Sequence, residues 1–303
     1  MGSYGFSIPP VALRNPTSVL PERKADREGY LERGAETKRA IVEVLGPDWS
    51  WSGRRVLDFG CGSGRVLRHF HEEAAHAEFW GSDIDAACIA WDGEHLDPPM
   101  SFVTNAEVPP LPFPDEHFDL VYAMSVFTHI TDHWAAWLME LHRVLVTGGV
   151  LLATFMGEGM SERVAGETWD ETRVGMNVYL AGQRWEVGGP MVLHSPWWIE
   201  EHWGRLFDVE RIVPAGFVRH EVNDQIQDHG AALLRKGVKS ADVTELTRTS
   251  SGEPREVTAL ASQVLDLRSE VATLRAEREA SARPVAPAES IRPRAPWRRW
   301  RRR

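Results

Sequence analysis

Between Val56 and Arg68 the chain reads Val-Leu-Asp-Phe-Gly-Cys-Gly-Ser-Gly-Arg-Val-Leu-Arg, a short apolar run, an acid, glycines at alternate positions, then apolar residues again. Few backbones accept that order. The apolar run is that of a buried strand, and glycine lets the chain turn sharply and approach a ligand with no Cβ in the way. The residues after the glycines predict a helix whose N-terminus offers free N–H groups. A second apolar run ends in acids, Trp80-Gly81-Ser82-Asp83-Ile84-Asp85. Together they form a β-α-β unit with a carboxylate, Asp83, about twenty residues past the glycines, a distance suited to ribose hydroxyls. A nucleoside cofactor is therefore expected. Dinucleotide folds carry Gly-x-Gly-x-x-Gly to cradle a pyrophosphate, whereas here the order is Asp-x-Gly-x-Gly-x-Gly. An acid before the first glycine repels pyrophosphate and suits a ligand with an ammonium group, which counts against an NAD-dependent oxidoreductase.

At this point the chain resembles the class I S-adenosylmethionine-dependent methyltransferases, whose first motif looks like Val56 to Gly64. Further segments carry the same resemblance in order: Phe102-Val103-Thr104-Asn105-Ala106-Glu107, with Asn105 where the family usually has Asp; Phe118-Asp119-Leu120-Val121; and Glu140 to Gly149, with Thr147 in place of the usual proline. The resemblance covers Tyr30 to Phe155. It implies a Rossmann-like α/β fold, a doubly wound, seven-stranded, mostly parallel sheet with its last strand antiparallel. It implies S-adenosyl-L-methionine as cofactor, with Asp58, Gly60 and Gly62 at the methionine end and Cys61 and Gly64 completing the turn. Asp83 is assigned to the ribose, Ile84 to the adenine face and Asn105 and Ala106 to the adenine edge, with Met124 at the end of the next strand. A helix from about Glu22 to Leu45 is expected from the spacing of Tyr30, Ala35, Ile41, Val42 and Leu45. By the resemblance it lies over the cofactor with Tyr30 as a lid residue; by pattern alone it is an amphipathic helix packed on the sheet.

His129 follows the strand Phe118–Met124 at the carboxyl edge of the sheet, where ligands of open α/β sheets bind, and is the first candidate for a general base. His194 is the second. Residues 156–203 form an insert rich in glycine, with Trp169, Tyr179, Trp185, Trp197 and Trp198 between the glycines. Those rings either offer faces to a sugar or aromatic acceptor or fill the core of a small lid. Ser195-Pro196-Trp197-Trp198 reads as a helix start, and Leu206–Val213 and Gly230–Leu234 as closing strands. No acidic metal cluster stands out, so a metal-independent reaction is expected. The leading expectation is methyl transfer to a hydroxyl of a sugar, glycan or secondary metabolite. C-methylation of a small molecule and a non-catalytic scaffold that recruits partners are the alternatives.

The formal charge of −10 is unevenly spread: Ser281 to Arg303 holds eight Arg and one Glu, which leaves −17 on residues 1–280. An acidic body lacks the basic face that nucleic acid requires, so a small-molecule or glycan acceptor is favoured over nucleic acid. Cys61 and Cys88 are too few for a disulfide framework. With no signal peptide or spanning segment legible, a cytoplasmic protein is expected, peripheral at the inner face of the membrane if its tail binds lipid. Residues 1–21 read as a flexible arm, 22–239 as the methyltransferase domain and 240–254 as a linker. In 255–280, Val257, Leu260, Val264, Leu267, Val271 and Leu274 recur at steps of three and four, a coiled-coil helix expected to make a homodimer or to dock on a partner. The tail 281–303 ends in Trp297 and Trp300 among arginines, at 296–303, a pairing suited to an anionic membrane surface.

Overall fold

The computed structural model describes residues 6–14, 27–184, 188–222 and 225–282. The expected membrane-binding tail and Trp185 lie outside the described residues. The chain divides into two compact units between Leu260 and Ala261.

The first unit starts with a single 3-10 turn, Val11–Leu13, and helix α1 (Arg27–Leu45). Then come β1 (Arg55–Phe59), β2 (Glu78–Asp83), α2 (Ala86–His95), β3 (Ser101–Thr104), β4 (Phe118–Ala123), α3 (Trp134–Val144) and β5 (Leu145–Met156). The insert contributes α4 (Ser161–Ala165), β6 (Met176–Tyr179), β7 (Met191–His194) and α5 (Pro196–His202). The long strands β8 (Asp208–Val222) and β9 (Gln225–Arg235) close the sheet, followed by α6 (Val243–Thr247) and α7 (Pro254–Ala282).

In β1, β4 and β5 nearly every residue is buried, as expected for parallel strands covered on both faces. Their alternate side chains feed two separate cores. Leu57, Phe59, Val121, Ala123, Leu151, Ala153 and Phe155 point into one; Val56, Leu120, Tyr122, Val150 and Leu152 point into the other. Parallel pairing joins β3, β2, β1, β4 and β5 in that order. Strand β9 runs antiparallel along β5 from Val150↔Arg235 to Met156↔His229, and β8 pairs antiparallel with β9. These seven strands are the expected sheet with its antiparallel closing strand. Among the described residues the hairpin β6–β7 raises the total to nine, joining only through Met156↔Leu193 at the end of β5.

Three local expectations need correction. The glycine turn opens into turns and a 3-10 segment, Leu67–Phe70, rather than a regular helix. There Arg68 bends back, its Nε donating to the Gly64 carbonyl at 3.1 Å, and α1 presses on the segment. The stretch 240–254 holds an ordered helix, α6, closed by a capping box between Asp242 and Glu245, with Leu246 fully buried. Of the amino-terminal arm, residues 6–14 are tied down: Ser63 Oγ donates to the Leu13 carbonyl at 2.8 Å and Arg68 Nη1 to that of Ser7 at 2.9 Å. Among the described residues no helix is long and apolar enough to cross a membrane.

Helix α1 approaches the turn so closely that only glycine fits at position 34. A Cβ there would lie 2.1 Å from the Arg65 carbonyl oxygen and 2.8 Å from His69 Nε2. Alanine in a helix interior normally gains about 0.5–1 kcal/mol over glycine, whereas overpacking costs about 1–3 kcal/mol. Backbone cannot step aside as a flexible side chain can, so the second effect wins. Gly34→Ala is expected to lower the thermal midpoint by several degrees; a midpoint equal to or above wild type in calorimetry would contradict this packing.

Candidate active site

The three glycines of the turn all have φ in the left-handed region, at +81° for Gly60, +55° for Gly62 and +64° for Gly64. Two of them are closed in. A Cβ on Gly60 would meet Val126 Cγ2 at 2.4 Å, and one on Gly64 would meet Leu96 Cδ1 at 2.4 Å. Gly62 differs, since a Cβ there would meet nothing within 4 Å. Its backbone is thus turned toward open space. The carboxylate of Asp83, at the end of β2, accepts the Gly62 N–H at 2.7 Å and the Asp85 N–H at 2.8 Å. One acid therefore fixes both the turn and the start of α2, which Asp85 caps by accepting from Ala87 and Cys88. Burial raises the Asp83 pKa and these N–H donors oppose the rise.

Behind the turn, Tyr30 is fully buried on α1, its hydroxyl donating to the Ser63 carbonyl at 2.8 Å. Burial pushes its pKa up to about 12, against the pull of Arg68. It is a clamp beneath the turn. Asp58, at 2% exposure, has its pKa raised by burial to about 8, with the neighbouring Tyr122 hydroxyl drawing it down. Its Oδ2 has no hydrogen-bond partner. Cys61 packs its sulfur where a Cβ on Gly81 would sit, 2.9 Å away, and burial drives its thiol pKa well up. It fills the turn as a neutral side chain rather than acting as a nucleophile.

The remaining expected residues lie along the same sheet edge. Ile84 is 38% exposed just after Asp83, and Ala106 is exposed. Asn105 is buried, its backbone N–H bound to the Asp83 carbonyl at 3.0 Å and its Nδ2 donating to the Ala106 carbonyl at 2.8 Å. That leaves its Oδ1 as an unsatisfied acceptor. Met124 follows β4, nearly buried.

The two histidines separate. His129 is half-buried, and its Nδ1 donates to the Pro190 carbonyl at 2.7 Å, so the basic nitrogen is Nε2. Burial lowers its pKa, partly offset by that hydrogen bond, and keeps the ring neutral near pH 7. His194, on β7, is fully buried against Trp198 and Trp203, with ring centroids 5.3 and 5.8 Å away. Neither of its nitrogens has a hydrogen-bond partner, and burial lowers its pKa to about 3. A base that no solvent or acceptor reaches cannot take a proton from one. The insert's aromatics also sort themselves: Trp197 and Trp198 are buried in the core beneath α5, which Ser195 caps, and offer no face to a ligand. Trp169 and Tyr179 are half-buried against the smaller core of the insert.

One pair escaped the sequence reading. Ser125, directly after β4, holds φ +60°, and its Oγ lies 3.3 Å from His229 Nδ1. Its N–H is fixed by Thr154 Oγ1 at 2.7 Å. His229 stands on β9 opposite Met156, at the carboxyl end of β5, so the pair shares the sheet edge with Met124. A non-glycine residue held at positive φ is strained and recurs at functional sites.

The family described as "Methyltransferase domain" matches residues 56–149, the stretch that contains the turn, Asp83, Asn105 and His129. By that match residues 56–149 are a methyltransferase domain. Within curated proteins, the segment is 36% identical over 104 residues to the phthiotriol/phenolphthiotriol dimycocerosates methyltransferase 1 of Mycobacterium ulcerans, covering 34% of this chain and 38% of that protein. It is also 36% identical over 103 residues to the ubiquinone/menaquinone biosynthesis C-methyltransferase UbiE of Laribacter hongkongensis, covering 33% and 42%. The chain thus matches about two fifths of the length of these relatives. The solved PH0226 protein of Pyrococcus horikoshii OT3 covers 74% of this chain and 95% of itself with a TM-score of 0.50 at 17% identity, a likeness of fold.

The cofactor of a class I methyltransferase domain is S-adenosyl-L-methionine, and the residues present fit it. The open side of Gly62, the unsatisfied Oδ2 of Asp58 and the unsatisfied Oδ1 of Asn105 supply a close backbone approach, an acid for a cation and an acceptor for an exocyclic amine.

Proposed function

We propose that this chain is an S-adenosyl-L-methionine-dependent methyltransferase whose acceptor is a hydroxyl of a sugar, glycan or secondary metabolite. The observation that carries the reading is the turn at Gly62, open on its ligand side and pinned by Asp83. Asp58, Gly60 and Gly62 would hold the methionine end and Asp83 the ribose. Ile84 would cover the adenine face, and Asn105 and Ala106 would meet its edge. Bound there, the cofactor supplies an electrophilic methyl group on a sulfonium. What the chain must add is alignment of the acceptor, exclusion of water and removal of a proton.

His129 is assigned the proton. Its Nδ1–H is committed to the Pro190 carbonyl, which orients the ring and makes Nε2 the accepting atom. Its lowered pKa keeps it in the base form at neutral pH. His194 drops out on burial. The Ser125–His229 pair is assigned to positioning the acceptor at the ends of β4 and β5. C-methylation is the second reading, favoured by the C-methyltransferase among the relatives.

Calorimetric titration with S-adenosyl-L-methionine and S-adenosylhomocysteine, with NAD as control, is the test of the cofactor, followed by an acceptor screen beginning with hydroxylated small molecules. His129→Gln is expected to leave cofactor affinity unchanged while lowering kcat about 100-fold or more on a hydroxyl acceptor, the usual contribution of a positioned base. Binding of NAD but of neither adenosyl ligand overturns the class. Full turnover by the His129 variant overturns the assignment of the base.

A further inference from the structure

The helix α7 presents two faces with different fates. On one, Glu256 and Ala259 are buried; Glu256 Oε1 lies 3.0 Å from His202 Nε2, and Ala259 joins the core with Leu246. On the other, Val257, Leu260, Val264, Leu267, Val271 and Leu274 stand 43% to 65% exposed. An apolar stripe of that regularity on a 29-residue helix is costly to leave in water. We propose that it is covered by the same stripe of a second copy of this chain, in a parallel, in-register two-stranded coiled coil.

The choice of occupant comes from the heptad. With Val257, Val264 and Val271 at a, Leu260, Leu267 and Leu274 fall at d. A β-branched residue at a with leucine at d is the combination that favours two parallel strands. The flanking charges point the same way. Position g holds Gln263, Glu270 and Glu277, and position e holds Arg268 and Arg275. In a parallel pair, g of one heptad faces e of the next heptad on the other helix, so Glu270 meets Arg275 of the second copy, twice by symmetry, and Gln263 meets Arg268. An antiparallel pair would set g beside g and e beside e, acid against acid and arginine against arginine. Glu270 and Arg268 have no such use within their own helix: neither has an opposite charge three or four positions away, the spacing that helical pairs need. The stripe is only about three heptads long, so the charge pairs weigh heavily in whether it associates.

Sedimentation of the full-length protein is expected to give twice the 34.1 kDa chain mass, dissociating on dilution. Glu270→Arg should raise the dimer dissociation constant at least tenfold by setting Arg against Arg275, and adding Arg275→Glu should restore it. Circular dichroism on each variant checks that helix content is kept, since all the changed side chains are surface ones. Orientation is read with Leu274→Cys, the native Cys61 and Cys88 being buried. Mild oxidation is expected to link Leu274→Cys to itself. Efficient cross-linking only in a mixture of Val257→Cys with Leu274→Cys would overturn the parallel arrangement, and a 34.1 kDa species at every concentration would overturn self-association altogether.

Discussion

Asp83→Ala is expected to weaken S-adenosyl-L-methionine binding about 100-fold. The carboxylate accepts the Gly62 N–H at 2.7 Å and the Asp85 N–H at 2.8 Å, so its loss removes the proposed ribose acceptor and releases the turn that presents Gly62. Hydrogen bonds to a charged group contribute about 1.5–3 kcal/mol each, and about 1.4 kcal/mol is a factor of ten in affinity. One lost ligand contact together with a slackened turn comes to about 3 kcal/mol, two decades of affinity. Asp83→Asn separates the two contributions, because an amide keeps an acceptor for only one of the two N–H groups. It should fall between wild type and the alanine variant. Calorimetric titration reads all three proteins, and an alanine variant within threefold of wild type would remove Asp83 from the cofactor site.

The parts of the site that could be read from the chain are those made by neighbours in sequence. Asp58 through Gly64 run from the end of β1 into one turn, and Asp83 reaches it because β2 is the next parallel strand. An apolar run, glycines and a strand-end acid are enough to place such a unit. The segment after the turn reads as a helix from its place behind a strand and a glycine turn; the close approach of α1 through Gly34 is a tertiary contact that no local pattern encodes. The hairpin β6–β7 was hidden for a related reason. Its strands are four residues each, and β7 pairs with β5 at one position only, so they leave too short a pattern to separate from a glycine-rich loop. The heptad on α7 was legible since its period is local, and so is the cap at Ser195. His229 was not. It is 104 residues from Ser125, and nothing in either neighbourhood marks the two as a pair. Trp197 and Trp198 show an alternative that only the fold decides: residue types suited to binding carbohydrate, or to filling a core, are here buried in the core.

The other large effect concerns the acids around the turn and the pH dependence of the ligand-free protein. Asp92, on α2, is fully buried beside Gly64 with neither carboxyl oxygen hydrogen-bonded. Burial raises its pKa from an ordinary 3.8 to about 9, with Arg68 pulling the other way. A group whose pKa is higher folded than unfolded binds its proton more tightly in the native state. Its contribution is therefore fully present below about pH 4 and is lost as pH rises toward 9. Through that window the loss approaches about 1.4 kcal/mol per pH unit for one group. Asp58, raised to about 8, acts with the same sign but sits in the ligand turn, which makes Asp92 the cleaner probe. The midpoint of thermal unfolding should fall steadily from pH 5 to pH 9, and Asp92→Asn, a neutral isostere, should flatten that fall. The variant is expected to match wild type near pH 5 and to exceed it by about 3 °C or more at pH 8, each kcal/mol shifting the midpoint of a chain this size by about 2–4 °C. A parallel pH profile in variant and wild type would mean that Asp92 is ionised in the folded protein, paired with Arg68 instead of held neutral against it.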